Sequence, residues 1–196
     1  MASLIFSLLA RLPLGPLQAV GVVAGWLTYA LSPTYRRRLR ANLEQALGPE
    51  QAARVWRRAV GETGKQALEL PWMLLRPQAE LAARVVRVSG WEHVEAAEAR
   101  GGGILFITPH LGCFEITAQY FSTYKPITVL YRAPKKAVLQ PLINAGRSRG
   151  NMHIAPADVG GVRRLIKALR AREAVGMLPD QVPGSGEGAW LPFFGR

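Results

Sequence analysis

His110 and Glu115 are the two side chains in this sequence best equipped for chemistry, and they frame the stretch His110-Leu-Gly-Cys-Phe-Glu115. A histidine backed by a carboxylate can draw a proton from a hydroxyl, because the acid fixes the ring tautomer and stabilises the imidazolium. Residues five apart on one straight helix are separated by about 140° around its axis. Direct pairing therefore requires His110 in a loop and Glu115 at the start of the helix that follows. Pro109 and Gly112 suit such a turn, and a carboxylate is favoured at a helix N-terminus by the macrodipole. The plainer alternative is a capping glutamate beside an incidental loop histidine. Cys113 adds a rival chemistry, a thiol nucleophile with His110 as its base, although a lone cysteine also serves as a small buried residue. Spacing alone leaves these readings open.

The surrounding pattern says what must position the pair. Gly103-Ile-Leu-Phe-Ile-Thr108 is short, apolar and led by glycines, so it reads as a buried strand that delivers His110 at its C-terminal end. Open α/β sheets hold their ligands at that end. Further strands are expected at Arg84–Val88, Ile127–Tyr131 and Ala174–Leu178. Helices are expected at Trp91–Ala99, Phe114–Phe121, Lys135–Arg147 and Val159–Arg172. This alternation predicts an α/β fold, a largely parallel sheet flanked by helices.

Before it comes a helical region. Tyr35–Leu47 reads as a basic helix ending at Gly48, and Pro49 opens a second helix running to about Glu69. Pro71 and Pro77 are expected to break the chain around Trp72-Met-Leu-Leu75. Trp56 and Trp72 read as packing residues. The stretch from Leu14 to Leu31 has no charged residue and is followed by Arg36-Arg-Arg-Leu-Arg40. Its length is borderline for crossing a bilayer, which takes ~20 residues. The alternatives are a buried core helix or a helix lying in the membrane interface with arginines on lipid phosphates. The expected division is a hydrophobic membrane anchor over 1–33, a helical membrane-proximal layer over 34–83 and an α/β core over 84–196. The apolar Trp190-Leu-Pro-Phe-Phe194 so near Arg196 suggests a core incomplete at its C-terminus.

A length of 196 residues allows one compact domain. The net charge of +12 points to a polyanionic partner: nucleic acid, anionic lipid or an acidic protein. The apolar N-terminal stretch and the lack of a recognised binding motif argue against nucleic acid. A single cysteine excludes an internal disulfide, and the three scattered histidines give no metal-ligand spacing.

Four blocks then fall in a recognisable order. His110-x4-Glu115 follows its strand, Asn42-Leu43 follows the arginine cluster, and Tyr131-Arg-Ala-Pro-Lys135 comes after the pair. Leu178-Pro-Asp-Gln181, the run Pro183-Gly-Ser-Gly-Glu-Gly188 and Pro192-Phe-Phe-Gly195 complete the set. This arrangement resembles the lysophospholipid acyltransferase superfamily, and the glutamate variant is similar to its bacterial lipid A (lauroyl/myristoyl) acyltransferase branch. The resemblance implies transfer of a fatty acyl chain from acyl carrier protein to a hydroxyl of a lipid A precursor. The place would be the cytoplasmic face of a bacterial inner membrane, with an anionic glycolipid as acceptor and acyl-carrier-protein thioester as co-substrate rather than a cofactor. His110 would be the general base oriented by Glu115. Arg132 would hold a phosphate or the oxyanion, and Asp180 and Gln181 would contact substrate. The family continues past the Phe-Phe-Gly segment, which agrees with an incomplete C-terminus. Acylation of another membrane lipid, or an inactive truncated homologue, would use the same blocks.

Overall fold

The computed structural model describes residues 2–134, 137–181, 188–189 and 191–192. Expectations for Lys135, for Pro183–Glu187, and for Trp190 and Phe193–Gly195 lie outside the described residues.

The N-terminal part is helical throughout. Helix α1 (Ala2–Arg11) stops before Pro13, and α2 (Leu14–Leu31) follows. Ser32 ends α2 and caps α3 (Pro33–Leu47), its hydroxyl accepting from the Tyr35 amide at 3.3 Å. Gly48, with φ of +77°, turns the chain into α4 (Pro49–Leu75). Pro71 does not break that helix, contrary to the sequence expectation. A proline inside a helix costs about 3 kcal/mol. Here it lies beside Trp72 and Leu74, whose full burial contributes about 2 kcal/mol each. Tertiary packing thus offsets the lost amide. The chain does break at the other expected proline, at Arg76–Pro77, and α5 (Gln78–Ala82) follows.

Helices α2 and α4 run against each other at backbone distance. A Cβ added to Gly21 would sit 2.8 Å from the Gly64 carbonyl oxygen, and one on Gly25 2.5 Å from that of Val60. Glycine is needed here because the helices touch through their main chains. Leu17 packs on Trp72 and Met73. Gln18 donates to Glu69 at 2.6 Å. Tyr29 stacks on Trp56, which also receives the Arg40 guanidinium at 4.2 Å from its ring centre. Both tryptophans therefore serve packing.

The α/β part contains α6 (Trp91–Ala99), β1 (Ile104–Ile107), α7 (Glu115–Phe121), β2 (Ile127–Tyr131), α8 (Gln140–Arg147), β3 (Met152–Pro156), α9 (Val159–Arg170) and β4 (Ala174–Met177). The four strands form a parallel sheet in the order β1-β4-β2-β3. Helix α9 covers one face through Leu165 and Ala168, which meet Ala155 and Val175. On the other face Phe121 of α7 and Trp91 of α6 meet Ile127, Phe106 and Ala174. There the end of α4 also packs on α8, through Leu74 and Ile143 beside Tyr131.

Two differences from the sequence reading have physical causes. Arg84–Val88 forms no strand; Val86 is 96% exposed, and the edge strand β1 pairs with β4 alone. β-Branched residues favour extended backbone, but a strand also needs a neighbour's ladder of hydrogen bonds. Strand β3 was not anticipated, because Met-His-Ile-Ala-Pro mixes weak strand formers with a proline. Its pairing with β2 over five positions supplies what propensity lacks.

Candidate active site

The neighbouring parallel strands β1 and β4 place two loops side by side at their C-terminal ends. The Thr108 amide still bonds the Met177 carbonyl at 3.2 Å, so the two chains leave the sheet in register. One exits into Pro109-His110 and the other into Leu178-Pro179-Asp180. The Asp180 carboxylate then takes both donors that His110 offers. Its Oδ2 accepts from the His110 backbone amide at 2.7 Å, and its Oδ1 lies 2.7 Å from Nδ1 of the ring.

An ionised carboxylate only accepts, so Nδ1 carries a proton, and Nε2 is the nitrogen that can offer a lone pair to a substrate. Asp180 is held below the usual carboxylate range, first by the side-chain bond from His110 and then by the backbone bond. The carboxylate thus stays ionised in its pairing role. Gln181 lies 3.5 Å from Nε2 through its amide nitrogen, at the limit of a hydrogen bond. The Phe114 ring meets the imidazole edge-on, with centres 4.7 Å apart.

Glu115 is the first residue of α7 and His110 lies in the preceding loop, the placement that direct pairing would need. Gly112 makes the turn between them with φ of +59°, and its carbonyl accepts from Gln66 of α4 at 2.8 Å. The expected bond from Glu115 to His110 is nevertheless not formed. Glu115 faces Arg147 at the end of α8, which donates to Oε2 from Nε at 3.2 Å and to Oε1 from a terminal nitrogen. The geometry is bidentate, and both side chains are largely buried. The Arg147 guanidinium also lies over the Tyr131 ring, 5.2 Å from its centre. A carboxylate committed to a buried guanidinium gains more than it would from a neutral imidazole across the loop. Hence the acid that orients the imidazole is Asp180, not Glu115.

Arg147 escaped the sequence reading, which saw only the last residue of a helix. A signal was present: Arg147 lies four residues after the buried Ile143, on the inward side of α8. A charge on that side needs a partner.

His110, Glu115, Arg132, Arg147 and Gln181 line one cavity of about 1010 Å³. Arg132 follows the end of β2 and Gln181 the end of β4, so all five gather near the C-terminal edge of the sheet. The rest of the wall is apolar, with Trp91, Val94, Phe106, Phe121 and Val129 among its residues. Gly176 of β4 is also in the wall, where an added Cβ would sit 3.1 Å from the Val129 side chain. The unpaired segment Val85–Val88 contributes three side chains to the wall: Val85, Arg87 and Val88. Such a volume accommodates a long apolar ligand with a few polar anchor points.

Cys113 faces away from nucleophilic use. Burial, aided by nearby Glu69, pushes its thiol up to about 11. The thiolate is scarce at neutral pH, so the thiol rival to His110 loses its reagent.

Comparison with known proteins agrees with the family resemblance. A stretch of 112 residues is 30% identical to the lipid A biosynthesis lauroyltransferase of Escherichia coli K12, covering 57% of this chain and 36% of that protein. A lipid A biosynthesis acyltransferase of Haemophilus influenzae is also 30% identical over 112 residues, covering 55% and 35%. The lipid A biosynthesis palmitoleoyltransferase of Escherichia coli K12 is 25% identical over 107 residues, covering 55% and 34%. The matched stretch thus spans about a third of each of these relatives. The model of the bacterial lipid A biosynthesis acyltransferase family matches residues 2–196. With the family model matching nearly the whole of the given sequence, this chain belongs to the bacterial lipid A biosynthesis acyltransferase family.

Proposed function

We propose that this chain forms the acyl-transfer site of an enzyme that moves a fatty acyl group from an acyl-carrier-protein thioester to a hydroxyl of a lipid A precursor. The observation that carries the proposal is His110, paired with Asp180 and lining a large, mostly apolar cavity. Asp180 holds the Nδ1 proton, and Nε2 takes the proton of the acceptor hydroxyl as its oxygen attacks the thioester carbonyl. The new ester C–O bond forms and the C–S bond breaks. The imidazolium returns its proton to the departing thiolate, so the site ends as it began.

No covalent enzyme intermediate is required. Arg132, at the mouth of β2, is placed to meet an anionic group of the acceptor or the carbonyl oxyanion. The Glu115–Arg147 pair stiffens the wall between α7 and α8. The apolar residues receive the acyl chain. A carrier protein with an acidic surface and a phosphorylated glycolipid both complement the net charge of +12. The apolar α2 followed by the basic cluster Arg36–Arg40 supports a position on the anionic cytoplasmic leaflet of the inner membrane.

The test is acyl transfer from a purified acyl-carrier-protein thioester to a lipid A precursor, measured in parallel for wild type and His110→Ala. Turnover in the wild type, lost in the variant, supports the mechanism. Equal turnover in both would sink it. Acylation of another membrane lipid with no product on the lipid A precursor would replace the acceptor while keeping the site.

A further inference from the structure

Helix α2 is long and apolar enough to cross a bilayer, yet the structure determines what would have to travel with it. Its buried residues Leu17, Gly21, Gly25 and Tyr29 recur every fourth position and face α4. Contact runs from Leu17 on Trp72 and Met73, through the glycines at Gly64, to Tyr29 on Trp56. The pair is antiparallel over residues 56–72 of α4. That stretch carries Arg57, Arg58, Glu62, Lys65 and Glu69. An upright α2 would draw these charges toward the hydrocarbon, where ionised side chains are strongly disfavoured. Peeling α2 away would instead strip the cover from Trp72 and from the glycine backbones.

The other side of α2 is bare. Only four of its 18 residues are buried, and Val20, Val23, Leu27 and Leu31 form an exposed stripe opposite α4. On α1, Leu4 and Leu8 are exposed as well. The exposed arginines 36–38 follow the end of the stripe within two turns. An interfacial helix needs an apolar side toward lipid and a polar side toward water. Here α4 supplies the polar side, since α2 has no charge of its own.

We infer that α2 lies flat in the headgroup–acyl boundary of a single anionic leaflet and does not cross the membrane, with Arg36, Arg37 and Arg38 on the phosphates of that same leaflet. Its apolar stripe faces the acyl chains, and α4 separates it from the aqueous side. This deepens the acyl-transfer reading by stating how the site meets its lipid.

Depth measurement tests it without any catalysis, so its outcome is separable from that of the activity assay. Single cysteines at Val20, Leu27 and Leu31 in a Cys113→Ala background carry an environment-sensitive fluorophore. The protein binds vesicles of phosphatidylethanolamine and phosphatidylglycerol that contain quenchers at graded depths. A flat helix gives the same shallow depth at all three sites. An upright helix spreads Val20 and Leu31 over about 16 Å of depth, and that result would overturn the inference. Absence of quenching at every depth would overturn membrane docking of this face. Replacing Arg36, Arg37 and Arg38 with glutamine is expected to weaken vesicle binding about fivefold per arginine. Unchanged affinity for phosphatidylglycerol vesicles would overturn the assignment of the arginines to lipid phosphates.

Discussion

Two carboxylates line the same end of the sheet and have opposite partners. Asp180 reaches His110 from 70 residues away, whereas Glu115, only five residues on, turns to Arg147. The first pair is about a third exposed on each side and is built from two loops. The second is mostly covered and joins two helices. A partly exposed acid paired with an imidazole can govern proton position. A covered acid paired with a permanent cation mainly governs structure. Neighbourhood in sequence is thus a poor guide to partnership where the sheet supplies a nearer neighbour from elsewhere.

The contrast can be broken at several points. His110→Ala is expected to have the largest effect, lowering acyl transfer about a thousandfold, within the range of a lost general base. Asp180→Asn should lower kcat about a hundredfold with little change in KM or thermal stability, since the ring loses its anchored tautomer. Combined with His110→Ala it should add almost nothing, because the acid acts through the ring. If Asp180→Asn keeps full turnover and Glu115→Gln abolishes it, the roles are reversed.

Cys113 gives a comparison of similar size in reactivity. Its thiol, raised to about 11 from an ordinary 9.0, should alkylate about a hundredfold more slowly at pH 8 in the folded protein than after unfolding. Between those two values the unfolded thiol ionises while the folded one stays protonated. Stability therefore falls as pH rises through this window, and a Cys113→Ala variant should lose that part of the pH dependence.

Glu115→Gln is expected to have the smallest effect on turnover, about tenfold in kcat/KM. It should cost about 2 kcal/mol of stability, less than a fully buried pair because both side chains keep some exposure. Thermal denaturation checks this, at roughly 2–4 °C per kcal/mol for a chain of this size. Restoring neutrality with Arg147→Met in the Glu115→Gln background should recover part of the loss, which a catalytic role for Glu115 would not allow.

Much of the scaffold was legible because its signals are local. The apolar run before Thr108, the glycine at 48 with its following proline, and the alternation of helix and strand from Trp91 to Met177 each identify themselves over a few residues. The placement of His110 in a loop and of Glu115 on a helix agrees with the turn signals of Pro109 and Gly112, although the direct pairing that implied it does not form. The acid's partner did not follow. It depends on β4 inserting between β1 and β2, and strand order is a property of the whole sheet rather than of any segment. Pro71 inside α4 and strand β3 were hidden for the same reason, since tertiary packing outweighs the local preference in both. Arg147 was legible only in retrospect, as a charge in step with Ile143.

The strand order also sets a timetable for biosynthesis. His110 emerges from the ribosome with the turn that carries it, but its carboxylate is made 70 residues later and arrives only when β4 zips onto β1 through Ile104–Ile107. Until then the imidazole has neither a fixed tautomer nor a fixed loop, because the same aspartate secures both ring and backbone. A nascent chain halted anywhere before Asp180 therefore displays its histidine without arming it. Completion of the sheet and assembly of the proton-transfer pair become one event, and such long-range pairing comes late in folding.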